Sequence, residues 1–230
     1  MTQPREIRHY GWIPDQPDQR DHLYAAPSQY LTALPSSTDL RKKCPPVYDQ
    51  GQLGSCTANA IAGAVEFDRM KQKLSDFVPS RLFIYYNERK IEGTVPTDSG
   101  AMIRDGIKSV ASDGVCPEPE WPYVISKFAT RPPAKCYRDA KLDRAVSYQS
   151  IVPNLNQKRT GHAPMPGWAE RAVGGHAVMA VGYDESKQWF LARNSWGTRW
   201  GMKGYFTMPY AYLVQPGLSQ DFWTIRLVGR

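Results

Sequence analysis

Gln50, Cys56, His176 and Asn194 carry, in that order, an amide donor, a thiol, an imidazole and a second carboxamide. They fall in three short segments: Gln50-Gly-Gln-Leu-Gly-Ser-Cys56-Thr-Ala, Gly174-Gly-His176-Ala-Val and Asn194-Ser-Trp-Gly-Thr-Arg-Trp-Gly201. Acyl transfer through a thioester needs such parts: a nucleophile, a base, a group that orients the base, and donors for an oxyanion. Cys56 stands where the best helical pattern begins, and the unpaired amides and positive dipole end there favour a thiolate. Gln50 is expected to fold its amide beside the Cys56 N–H, with Gly51 and Gly54 permitting the tight turn between them. His176 follows two glycines and opens an apolar run, where a ligand meets little steric cover. Asn194 is placed to accept from the other imidazole nitrogen, with Trp196 and Trp200 shielding that contact. A single buried cysteine is usually a small hydrophobe. The joint occurrence of all four groups, in order, outweighs that reading.

The elements that position these groups follow from periodicity. Ser55 to Lys73 is expected to be a helix capped by Ser55, with Ala58, Ile61, Ala62, Val65 and Met70 on one face. A second helix is expected over Pro79 to Arg89, with Leu82, Tyr85 and Tyr86 inward. A third covers Ala101 to Ser112, ended by Gly114, and Pro117, Pro119 and Pro122 mark a loop. Beyond residue 140 the period shortens. Ala145 to Val152, His176 to Tyr183, Trp189 to Asn194, Tyr205 to Pro209 and Phe222 to Leu227 read as strands. Helices first and strands after them indicate an α+β fold of two lobes. Residues 1 to 33 read as an irregular leader, with Tyr10, Trp12, Leu23, Tyr24 and Tyr30 available to dock.

The charge of +7 is scattered along the chain, densest at Arg41-Lys-Lys43, so no nucleic-acid partner is expected. No stretch approaches the roughly 18 to 20 apolar residues of a membrane span, so no membrane partner is expected either. The first 20 residues lack a secretory apolar core. The expected location is cytoplasmic, or exported without a recognisable signal peptide. Cys44, Cys56, Cys116 and Cys136 form no C-x-x-C pair, so no metal is implied and no cofactor is called for. The three cysteines other than Cys56 read as reduced and partly buried, with at most one disulfide among them.

Over most of residues 34 to 209 the chain resembles the papain-like (C1) cysteine peptidases. Leu34-Pro-Ser-Ser-Thr-Asp-Leu-Arg41 is similar to the mature start of that family, and Val47-Tyr-Asp-Gln-Gly-Gln-Leu-Gly-Ser-Cys56 to its nucleophile signature. Gly175-His-Ala-Val178 and Asn194-Ser-Trp-Gly, followed by Trp200-Gly and Gly204-Tyr-Phe206, are similar to its histidine and asparagine blocks. The resemblance implies a peptidase domain over 34–230 behind a 1–33 leader. A helical left lobe (about 45–140) would carry Cys56, and a β-rich right lobe (about 141–230) would carry His176 and Asn194. The implied activity is that of a cysteine endopeptidase acting on a peptide or protein in the cleft between the lobes. A ligase or transpeptidase using the same acyl-enzyme, and a non-catalytic binding homologue, are the alternatives. By the same resemblance Ser99 and Gly100 would pair with substrate backbone, Gly175 and Ala177 would flank the second specificity pocket, and Trp196 would line the leaving-group side.

Four departures stand out. Leu53 and the loop from Gly93 to Gly100 lack the two cysteines of a common family disulfide, which fits a reducing setting. Thr57 replaces a tryptophan behind the nucleophile, so packing there must differ. Cys56 and His176 are 120 residues apart, against roughly 130 to 150 in the family. The shortfall falls between Val152 and Gly174, where an expected helix and strand have no support. The leader is also far shorter than the usual helical prosegment. It is expected to pack its aromatics across or near the cleft as an intramolecular inhibitor, making the chain a zymogen.

Overall fold

The computed structural model describes residues 10–19, 34–151, 162, 165–166, 174–215 and 217–228. Helix α1 runs from Cys56 to Lys71, α2 from Arg81 to Glu92, α3 from Ile103 to Ser112, and the short α4 and α5 over Ala134–Ala140 and Tyr210–Leu213. The predicted helices are present, with edges moved by local chemistry. Ser80, rather than Pro79, caps α2, its Oγ accepting from the Phe83 N–H. Gly93, at φ 74°, ends α2 in the left-handed conformation that glycine adopts without steric cost. Ser55 does not cap α1 with its side chain. Its hydroxyl meets Tyr123 Oη at 2.5 Å and accepts from Asn59 Nδ2. Met70 is exposed and Tyr86 half-buried, and Phe83 and Ile84 complete the inward face of α2.

Strand β1 is Trp12–Ile13, β2 Ser37–Asp39, β3 Ala101–Met102, β4 Arg144–Ile151, β5 Met179–Asp184, β6 Trp189–Arg193, β7 Tyr205–Pro209 and β8 Phe222–Val228. Strands β2-β5-β6-β7 form one antiparallel sheet, so the chain just after the leader crosses to the second half of the molecule. Strands β4 and β8 make a separate antiparallel ribbon that packs on α1 and α3. The predicted strand from His176 begins only at Met179. His176 to Val178 stays outside the sheet, where Gly175 bonds to the leader and Ala177 packs on Cys56 instead.

Of the apolar clusters among the described residues, two anchor the halves of the chain. Ile61, Val65, Leu82, Phe83, Ile107 and Val110 centre the helical core, with Trp223 and Ile225 packed against it. Ala192, Phe206, Met208 and Leu213 centre a core on the four-stranded sheet. The chain thus has helices segregated from an antiparallel sheet, the predicted α+β architecture. The expected helix and strand between Val152 and Gly174 lie almost wholly outside the described residues.

Where the family resemblance expects a disulfide to the loop after α2, one guanidinium stands. Arg89 is fully buried. It donates from Nε to Tyr85 O at 3.0 Å, from Nη1 to Val95 O at 2.7 Å and Thr97 O at 2.9 Å, and from Nη2 to Phe128 O. The loop that leads to Ser99 and Gly100 is held by hydrogen bonds to its own backbone.

Candidate active site

Cys56 is the first residue of α1, and its side chain is wholly buried. Gly54, two residues earlier, donates its N–H to both Asp98 oxygens at 3.1 Å, and Tyr85 Oη bonds the same carboxylate. This ties the nucleophile loop to the segment before Gly100. The Cys56 side chain packs with Ala177 and Trp12, and the nearby backbone amides of Ala177 and Gly11 favour its anion. Burial nonetheless pushes its pKa up to about 11, outweighing those amides. With the leader seated, burial thus favours the thiol over the expected thiolate. A helix N-terminus favours the anion, but removing water from the sulfur costs more.

The imidazole is oriented from the sheet side. His176 Nε2 lies 2.7 Å from Asn194 Oδ1. The Ser195 N–H donates to that same oxygen at 2.8 Å, which fixes it as the carboxamide oxygen. His176 must then carry a proton on Nε2, and its Nδ1 is left for proton transfer. Trp196 stacks on the imidazole with ring centres 4.6 Å apart, and Trp200 meets Trp196 edge-on at 4.9 Å.

Gln50 is joined to this block across the chain. Its N–H donates to Ser195 O at 2.9 Å, and its Oε1 accepts from Ser195 Oγ at 2.6 Å. These bonds fix the amide orientation, and one Nε2 hydrogen goes to Leu53 O at 3.0 Å. Tyr123 Oη donates to Gln50 O at 2.9 Å. Thr57, in the position where the family resemblance expects tryptophan, donates to Glu88 Oε1 at 2.7 Å. Glu88 is fully buried, and that burial holds its carboxyl well above the usual range.

The leader lies in the same place. Strand β1 pairs in parallel with β3, Ala101 N–H donates to Gly11 O at 2.7 Å, and Trp12 N–H donates to Gly175 O at 3.2 Å. A Cβ on Gly100 would stand 2.2 Å from Gly11 O, and one on Gly175 1.8 Å from the Trp12 ring. Glycine is needed at both positions for the leader to approach. The Trp12 ring packs with Cys56, Ala60, Ile103 and Ala177. Tyr10 sits edge-on to His176 at 6.4 Å. Farther along, Asp15 accepts from Trp223 Nε1 at 2.9 Å and from the Arg104 N–H at 3.2 Å, beside Asp221. Burial, and then the Asp221 charge, raise Asp15 to about 6. Leu23, Tyr24 and Tyr30 lie outside the described residues.

Gln50, His176 and Asn194 thus meet within one bonded network, Cys56 packs against Ala177 beside it, and Gly100, Gly175 and Ala177 line the path of β1. Ser99 bonds only its neighbour, donating from Oγ to Gly100 O. Sequence reasoning missed Ser195, Tyr123 and Glu88. Ser195 stood inside a segment already singled out, whereas nothing local marks the other two.

The family described as papain family cysteine protease matches residues 165–221. An uncharacterized peptidase C1-like protein of Acanthamoeba polyphaga mimivirus is 37% identical, the alignment covering 96% of this chain and 88% of that one. Cathepsin K of Gallus gallus is 31% identical over 76% of this chain and 59% of its own. Among solved structures, xylellain, a cysteine protease from Xylella fastidiosa, superposes with a TM-score of 0.89 at 41% identity, over 99% of both chains.

Proposed function

Because this chain belongs to the papain family of cysteine proteases, we propose a specific division of labour for its hydrolysis of peptide bonds. Cys56 attacks the scissile carbonyl, and His176 Nδ1 exchanges the proton with thiol and leaving amine. Asn194 holds the imidazole, and Gln50 Nε2 with the Cys56 N–H stabilises the oxyanion. Water then hydrolyses the thioester. The observation that carries this reading is the bonded path from Gln50 through Ser195 and Asn194 to His176, with the next residue, Ala177, packed against Cys56. Substrate backbone takes the edge of β3 and Gly175 O, where the leader now bonds, with Gly100 and Ala177 beside it and Trp196 toward the leaving group.

The leader then acts as an intramolecular inhibitor. It supplies the burial that keeps Cys56 a thiol, and it fills the ground that substrate needs. Displacing it admits water and lets a thiolate–imidazolium pair form. The test is iodoacetamide labelling at about pH 5.5, where an ordinary thiol of pKa about 8.5 reacts slowly. The full chain should label slowly, and the chain lacking residues 1–33 rapidly and once, with the fast phase lost in Cys56→Ala and His176→Ala. Slow labelling of the folded, leaderless chain would sink the assignment.

A further inference from the structure

Cys116 and Cys136 meet in the helical core, apart from the bonded set of Gln50, Ser195, Asn194 and His176. The sulfur of each, and a carboxylate oxygen of Glu120, all lie within 4.8 Å of one another. Cys136 donates to Glu120 O at 3.6 Å. Both thiols are buried in the helical core. We propose that Cys116 and Cys136 form a disulfide under oxidising conditions, closing the loop between them and leaving Cys56 as a thiol.

The surroundings favour this product over a bound cation. Glu120 already accepts from Lys135 Nζ at 2.6 Å, and among the described residues no fourth His, Cys, Asp or Glu joins the group. A metal would require two thiolates in an apolar core, whereas a disulfide is neutral and suited to it. The step balances with a small-molecule disulfide as oxidant. One thiolate attacks it, forming a mixed disulfide and releasing a thiol, and the second thiolate then displaces the other half. Two protein thiols and one external disulfide become one protein disulfide and two external thiols.

The closed loop spans 20 positions and presents Tyr123 to Ser55 and Gln50. Glu118, in the same loop, pairs with Arg81 at 2.7 Å. The cross-link would therefore fasten the segment that braces the nucleophile loop, and no cysteine of that loop takes part.

The experiment uses the full chain, refolded with oxidised glutathione or with reductant, then alkylated and digested without reduction. The expected result is a peptide joining Cys116 to Cys136, with Cys56 alkylated. The Tm of the oxidised form should exceed the reduced by about 5–10 °C. Cys116→Ala and Cys136→Ala should each abolish that difference between redox forms, whatever their own stability. Full alkylation of both thiols after oxidative refolding, or a cross-link to Cys44 or Cys56 instead, would overturn the proposal. So would one equivalent of zinc, added alone to the reduced chain, that protects both thiols from alkylation and oxidation.

Discussion

At the scale of single residues, orientation is set by groups that never reach the substrate. Ser195 bonds Gln50 with its hydroxyl and Asn194 with its amide, so one small residue aligns both the proposed oxyanion donor and the partner of the imidazole. Gln50→Ala, assayed in the leaderless chain, should lower kcat by about 10²–10³ while KM changes little, since an oxyanion donor acts mainly in the transition state. An equal loss in KM would instead mark Gln50 as a substrate-binding group. Arg89 offers a second residue-level test. Its planar fork reaches four carbonyls, a geometry that an ammonium cannot reproduce. Arg89→Lys should cost about 2–4 kcal/mol in urea unfolding, and a loss within 0.5 kcal/mol would show that the loop stands without it.

At the scale of elements, the proposed inhibition turns on β1. Asp15 has its pKa raised from 3.8 to about 6 in the docked leader, so the docked state binds more protons than the released one. Docking is then strongest below about pH 4 and weakens as pH rises through 6, by up to about a hundredfold. Cys56 labelling in the full chain should accelerate over that window more steeply than in Asp15→Asn, because the growing thiolate fraction is common to both. Parallel curves would remove Asp15 from the gate. Packing between elements is as tight. A Cβ on Gly106 of α3 would stand 2.4 Å from Glu88 Oε2 and 2.5 Å from Ile61 Cδ1, so Gly106→Ala should destabilise by about 1–3 kcal/mol, read as a lowered urea midpoint. The three long helices and most strands were legible because their apolar periods are local, whereas the short helices Ala134–Ala140 and Tyr210–Leu213 were not. β1 was not: its two residues are strand only because β3 and Gly175, more than 80 positions away, complete the hydrogen bonds. The thiol's protonation state was also illegible, since a helix start can be read from sequence and the lid that dries it cannot.

At the scale of the whole molecule, the proposed catalysis draws on groups from the helical side and the sheet side that meet along one line. Cys56 and Tyr123 belong to the helical side, His176 and Asn194 to the sheet side, and the Gln50–Ser195 bonds cross between them. The three motif segments announced that meeting because each holds its chemistry within a few residues. The bracing by Tyr123, Glu88 and Arg89 left no such trace, being built from contacts between distant positions. One consequence of the seated leader concerns its tether. Because β1 and α1 share a chain, the local concentration of the blocking strand is fixed and does not fall on dilution. Under the proposed role, an intact population should stay latent at any protein concentration. A cut between leader and body would convert the block into an ordinary two-molecule complex that dilution dissociates. Activation should then follow a lag, shortened by a trace of already active enzyme, so progress curves seeded with leaderless protein would distinguish cutting in trans from first-order release.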